Sequence, residues 1–249
     1  MHPVLFRVGE VAVYSYGVMM VVALGAGFVA LLLAALRLRY SLPGVALLGC
    51  LLPATMMFGA KVGWWLGHLD ELEREGWLGG GMALAPALVL SLAAAGLVGL
   101  LFKEQLGATL DVVVIGLSMS VGVGRLGCFL AGCCVGKPTS MPWGLVFPTS
   151  TLIPETLHDV PLHPTQLYAL VLFTLLSIVL LWRGPKRRFS GELTLVAVAV
   201  FGVVSMAEPF VRLDEPHVPF KVVAWLLVVL AAIAATVLLG RRAAPAATA

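Results

Sequence analysis

Gly124-Arg125-Leu126-Gly127-Cys128-Phe129-Leu130-Ala131-Gly132-Cys133-Cys134 closes a run of sequence that is otherwise apolar enough to cross a bilayer. Arginine is costly at membrane depth and persists there facing a bundle interior, a partner or a polar ligand. Thiols within about three turns of a buried guanidinium can ionise and react. The stretch therefore predicts a transmembrane helix that ends in chemistry at the edge of the membrane.

The rest of the chain agrees with a membrane setting. Hydrophobic residues make up 60% of the 249 and charged residues 12%, with a mean hydropathy of +1.02. A water-soluble chain of this length needs far more surface charge. Taking roughly 20 residues per span, apolar segments fall near 11–36, 43–66, 80–102, 108–132, 163–182, 191–210 and 218–240. No stretch reads as a cleavable signal peptide, so the first span is expected to stay. The expected fold is an all-α integral membrane protein of about seven transmembrane helices.

Orientation follows from the basic residues. Arg37, Arg39, Lys103, Arg183, Lys186, Arg187, Arg188, Arg241 and Arg242 follow the odd-numbered spans. The alternate connections are acidic or mixed: Asp70, Glu71, Glu73, Arg74 and Glu75, then Glu155 and Asp159, then Arg212, Asp214 and Glu215. The positive-inside rule then places the N-terminus outside and the C-terminus in the cytoplasm. Those cytoplasmic loops account for the net charge of +3, so no nucleic-acid partner is expected. Residues 1–249 read as a single transmembrane domain, with a longer outer loop near 133–162 and a short tail at Ala244–Ala249. That loop, rich in Pro, Thr and Gly, is long for a connection without regular structure, which usually marks function or disorder. Trp143 and Trp64-Trp65 suit the headgroup level.

Lys61, Asp111, Arg125 and Glu208 lie within or near the ends of spans, and His163 with Gln166 opens the fifth. One reading pairs them as structural ion pairs, Lys61 with Asp111 across the second and fourth spans. The other lines a polar cavity for a charged headgroup. Asp111 and Arg125 are fourteen residues apart, about four turns, and so share one helix face. The planar fork of Arg125 matches two phosphate oxygens at once. Cys50 stands alone and reads as a packing residue. Cys128, Cys133 and Cys134 cluster, and three readings stay open for them: a disulfide plus one thiol, a set of soft metal ligands, or a nucleophile whose thiolate Arg125 favours. His163 before Pro164 is an interfacial cap or a group that binds phosphate or moves a proton.

Taken together, Gly124-Arg125-Leu126-Gly127-x-Phe129, Phe147-Pro148 and His163-Pro164-x-Gln166-Leu167-Tyr168 resemble the prolipoprotein diacylglyceryl transferase family. Tyr16-Gly17 in the first span and Glu208 near the end of the sixth also fit, as do seven spans with the N-terminus outside. The resemblance implies a multi-pass protein of the bacterial inner membrane. It also implies transfer of a diacylglyceryl group from phosphatidylglycerol, or another anionic phospholipid, to a thiol acceptor such as a lipoprotein precursor. No cofactor and no resident metal are expected. The residues expected to carry catalysis are Arg125, Cys128, Cys133, Cys134 and Glu208; Arg125, Tyr16, His163, Gln166 and Tyr168 are expected to bind substrate.

The chain departs from the family at several positions. Cys128 stands where the family has Asn, three residues after the signature Arg, and Cys133 where it has Glu. Gly79–Pro86 lacks the family's His. Val204 occupies the place of an Arg four residues before Glu208, and Ala169 replaces an acid after Leu-Tyr. Two functions follow: a divergent phospholipid-dependent transferase, or a membrane thiol–disulfide or metal-handling protein on the same fold without transferase activity.

Overall fold

The computed structural model describes residues 4–9, 11–66, 68–69, 76, 84–147, 153–213 and 219–243. Its helices are α1 (Ser15–Leu38), α2 (Leu42–Trp65), α3 (Leu84–Leu101), α4 (Leu106–Ala131), α5 (Thr165–Arg183), α6 (Glu192–Val211) and α7 (Pro219–Ala243). Six are long and apolar enough to cross a membrane, and α3 adds a shorter apolar stretch, Val89–Leu101. The chain is an all-α integral membrane protein. The start of the third expected span, the acidic residues 70–75, the loop segment Pro148–Ser150, Asp214-Glu215 and the C-terminal tail lie outside the described residues.

The first span begins later than the apolar run does. Val11–Tyr14 forms β2, paired antiparallel with β1 (Val4–Val8). The two runs flank Gly9 at φ +59°, and short runs rich in β-branched residues around such a turn make a hairpin. Hydropathy alone merges β2 with the helix behind it.

Helix α4 packs against α1, α3, α5 and α6, while α2 packs mainly on α3 and α7 on α6. The α1–α4 crossing is tight because small residues face each other. A Cβ added to Gly27 of α1 would lie 1.8 Å from Ser120 Oγ, and one on Gly116 would lie 2.9 Å from Gly27 O. Ser120 Oγ uses this closeness to donate to Ala23 O at 3.1 Å. Without a hydrophobic drive between helices in lipid, such close backbone approach and interhelical hydrogen bonds hold the pair.

The main core occupies one half of the bundle. Ala34, Val45, Leu48, Val98, Val112, Ile115, Leu180 and Leu193 are all within it. They belong to the C-terminal parts of α1, α3 and α5 and the N-terminal parts of α2, α4 and α6, that is, the end carrying the basic loops. The opposite half of α4, α5 and α6 is left open around a cavity.

Asp111 anchors the closed half. Fully buried, it accepts from Gly191 N (2.8 Å), Thr194 N (2.9 Å) and Thr194 Oγ1 (3.0 Å), with Arg187 Nη1 at 3.7 Å. Nearby Glu192, 1% exposed, takes Arg183 Nη2 at 3.3 Å, Arg188 Nε at 3.2 Å and the Arg188 backbone N–H. The expected Lys61–Asp111 pair is therefore not made. Lys61 lies near the C-terminus of α2, beside the Trp65 ring, whereas Asp111 lies near the N-terminus of α4, at the opposite face of the bundle. Asp111 and Arg125, fourteen residues apart on α4, are separated by about 21 Å. Cys50 is exposed on the outside of α2 rather than packed. Trp65, the last residue of α2, is buried at 2% exposure.

Replacing Asp111 with Ala strips three donors and a guanidinium of their shared acceptor. We expect a loss of about 3 kcal/mol, read as a lowered unfolding midpoint in detergent. Asp111→Asn, which keeps one acceptor oxygen, should lose less.

Candidate functional site at the open half

Helices α4 and α6 run parallel from the Asp111–Thr194 contact, and their polar groups recur at the same interval. Arg125 lies fourteen residues beyond Asp111, and Glu208 fourteen beyond Thr194. Equal rise brings both to one level in the open half. There they line a cavity of about 500 Å³, together with Cys134, Tyr168 and Arg212. Its remaining wall is apolar, built from Leu172 of α5, Val200, Val203 and Val204 of α6, and Val229 and Ile233 of α7.

The charged groups differ in their ties. Glu208 Oε1 meets Arg212 Nη1 at 3.7 Å, one turn further on. Arg125 makes no hydrogen bond or ion pair among the described residues. Pro209 sits inside α6, and its carbonyl accepts from Lys137 Nζ at 2.8 Å. The Lys137 backbone N–H donates to Val211 O at 2.8 Å. The outer loop thus holds the end of α6 where Glu208 and Arg212 face the cavity.

The cysteines are gathered by the way α4 ends. Gly132 stops the helix at φ +75° with its N–H on Cys128 O and Phe129 O, the left-handed cap that glycine adopts without a Cβ penalty. Cys133 N–H returns to Cys128 O at 3.1 Å, and Cys134 takes φ +57°, uncommon for a residue with a Cβ. The first turn of α5 then pins the backbone. Gln166 Nε2 donates to Cys133 O at 2.6 Å and Thr165 Oγ1 to Cys134 O at 2.5 Å. As a result the three Sγ atoms lie within 4.8 Å of one another, all as free thiols.

Charge is unevenly shared among the thiols outside the helix. Hydrogen bonds from the Cys128 and Cys133 thiols hold Cys134 below the usual thiol range, and Arg212 and Arg125 add to this against the opposing effect of burial. The interactions with Cys128 and Cys134, then burial, push Cys133 up. Cys134 is the thiol of the three that lines the cavity. Three thiols at this separation are also a donor set for a soft metal ion.

Of the other expected residues, Tyr168 lines the cavity and the rest lie around it. Gln166 is 1% exposed and spends its amide nitrogen on Cys133 O, so it helps to position the cysteine turn. His163 Nδ1 lies 3.1 Å from Tyr168 Oη, which also accepts from Trp143 Nε1 at 2.8 Å. His163 thus orients Tyr168 at the cavity mouth. Tyr16, in the first turn of α1, borders Gly127 and lies within electrostatic range of Arg125 and the three thiols. The outer loop is not structureless: Val135, Phe147, Ile153 and Leu162 form a second small core, with Phe147 edge-on to Phe129 and Leu145 bridged to Leu162. Arg212 was legible only as a loop charge, and its i+4 spacing from Glu208 at a helix end was the available signal.

Gln166→Leu leaves the Cys133 carbonyl without its donor and should cost about 1–3 kcal/mol. Arg125→Ala removes no such partner and should change stability by less than about 0.5 kcal/mol. Unfolding midpoints of the two variants in the same detergent check both.

A sequence profile of the family described as prolipoprotein diacylglyceryl transferase matches residues 3–240. The phosphatidylglycerol–prolipoprotein diacylglyceryl transferase of Clostridium tetani is 43% identical over 105 residues, 42% of this chain and 41% of that protein. The Bordetella avium enzyme of the same name is 31% identical over 232 residues, 84% of this chain and 81% of its own length. Enzyme 2 of Clostridium perfringens is 36% identical over 104 residues, 42% of this chain and 40% of that protein. The match to each clostridial relative thus spans about two fifths of its length. A profile that runs through α1 to α7, together with the arginine and glycine motif at the cavity, places the chain in the prolipoprotein diacylglyceryl transferase family.

Proposed function

We propose that this protein moves a diacylglyceryl group from phosphatidylglycerol to the thiol of an acceptor, as the names of its relatives describe, with a cysteine of a lipoprotein precursor as the acceptor. The observation that carries the reading is Arg125: a guanidinium with no hydrogen-bond or ion-pair partner among the described residues, at one end of an apolar-walled cavity of about 500 Å³. An anionic headgroup satisfies the guanidinium, and acyl chains suit the valine and leucine wall.

The chemistry assigns itself to groups at the cavity. The acceptor thiolate attacks the glycerol carbon bonded to the phosphate oxygen. A C–S bond forms, the C–O bond breaks, and its electron pair leaves on glycerol phosphate. Arg125, seconded by Arg212, steadies the charge that grows on the departing phosphate. Glu208 is the carboxylate placed to take the thiol proton. Arg212, four residues after Glu208, supplies the second cation that Val204 does not. Tyr16, Tyr168 and His163 line the approach for the headgroup. The basic loops support the orientation with the cavity half outside, in a bacterial plasma membrane.

The test is mass spectrometry of a single-cysteine peptide incubated with the protein and labelled phosphatidylglycerol in nanodiscs. The wild-type protein should add a diacylglyceryl mass to the peptide. Arg125→Ala should lose about 10²–10³-fold in rate, and Arg125→Lys should recover little of it, because a point charge does not replace a bidentate fork. An unmodified peptide with the wild-type protein, or full activity in Arg125→Ala, would remove this reading. Cys50→Ser, on the lipid-facing side of α2, should be silent.

A further inference from the structure

We infer that Cys128, Cys133 and Cys134 form a binding site for one soft metal ion, zinc in the first instance, with an exchangeable fourth position for the acceptor thiol. The inference rests on the transfer reading only for the identity of that fourth ligand.

The donor set is already assembled. Sulfur atoms bound to zinc at about 2.3 Å in a tetrahedron lie about 3.8 Å apart, and the three Sγ atoms are within 4.8 Å of one another. A disulfide needs about 2.05 Å between two of them and would leave the third without a role. The backbone behind the sulfurs is fixed as metal ligands require. Gly132 and Cys134 take left-handed conformations that turn the chain back on Cys128, and Thr165 and Gln166 hold the carbonyls of Cys134 and Cys133. Such outer contacts set ligand orientation. The charge balance also fits. Three thiolates and a divalent cation sum to −1, a fourth thiolate makes −2, and Arg125 and Arg212 line the same cavity as Cys134. Without a metal, three neighbouring thiols cannot all ionise.

Three protein ligands leave one position for an exogenous group, the pattern of catalytic rather than structural zinc sites. Cys134 opens on the cavity, so the fourth position is reachable from it. A thiol that coordinates the ion is deprotonated outright. Its proton passes to Glu208 or water, the sulfur keeps its electron pair, and attack on the glycerol carbon proceeds as above with no change in oxidation state. This site would supply the thiol activation for which the chain has no histidine at the family's position.

The experiment is titration of the full-length reduced protein with Co²⁺ in detergent, without lipid, followed by zinc competition. One equivalent should give the intense sulfur-to-cobalt bands and tetrahedral d–d bands of a thiolate site. Each of Cys128→Ser, Cys133→Ser and Cys134→Ser should weaken binding by more than about 100-fold, while Cys50→Ser leaves it intact. Thr165→Val and Gln166→Leu, which keep every ligand, should cost about 10–100-fold and so test the site even if a cysteine variant misfolds. A single-cysteine peptide should shift the bands as a fourth sulfur enters; bands that do not move would sink the fourth-ligand assignment. No cobalt–sulfur band in the wild-type protein, or a disulfide within the trio that persists after reduction, would overturn the site. Full transfer by chelator-stripped protein would overturn the inference while the transfer reading stands. Metal binding without transfer would do the reverse.

Discussion

The contact between Asp111 and the start of α6 is the constraint on which the remaining geometry hangs. A carboxylate removed from water is tolerable only with its oxygens fully engaged, and Gly191 N, Thr194 N and Thr194 Oγ1 engage them. Because these donors sit at the N-terminus of α6, the contact fixes where that helix begins and which face it turns to α4. The helix is stiff over the next fourteen residues. The placement of Glu208 opposite Arg125 is therefore set about 21 Å away, by a group that takes no part in any chemistry at the cavity.

This arrangement divides the bundle by task. The half with the basic loops holds the packed core and the two buried acids, each held by nearby cations. The other half relaxes its packing, and what replaces apolar contact there is a set of specific ties. Lys137 closes the carbonyl of Pro209. Thr165 and Gln166 close those of the cysteine turn. Phe147 seals the outer loop against Phe129. A cavity at membrane depth needs walls that keep their shape without being filled, and hydrogen-bonded backbone in a water-poor setting gives that rigidity.

The helices were legible because hydropathy over twenty residues is a strong signal and the bilayer fixes the length. Partners were less so. Lys61 and Asp111 carry opposite charge on two spans, yet α2 and α4 run parallel, with Lys61 near the end of one and Asp111 near the start of the other, so depth separates what charge matching pairs. Asp111 and Arg125 share a helix face without sharing a site. The cysteine turn was legible as a cluster. Its closure was not, since it depends on Gly132 and on two side chains of α5 more than thirty residues away. The hairpin of β1 and β2 was hidden by its own apolarity. The contact of Gln166 Nε2 with the Cys133 carbonyl was not legible either, since the two are thirty-three residues apart.

Cys128 and Cys133, two of the departures from the family pattern, fall together in space. Cys128 and Cys133 occupy the places of an Asn and a Glu, groups that hydrogen-bond and hold protons, and Cys134 adjoins them. Five residues apart across a helix end, the first two would be separated by more than a turn in a continuing helix; the Gly132 cap folds them back to within 4.8 Å. A single substitution of this kind would put an isolated thiol in an otherwise polar setting. Three that converge on one point put a soft donor set beside the cavity that Arg125, Glu208 and Arg212 line. Under the inferred metal site, Gly79–Pro86 without the family's histidine and Arg212 as the second cation fit one account. A site whose thiol activation comes from coordination needs no imidazole, and its second cation is effective on either side of Glu208 as long as it meets the cavity, as Arg212 does.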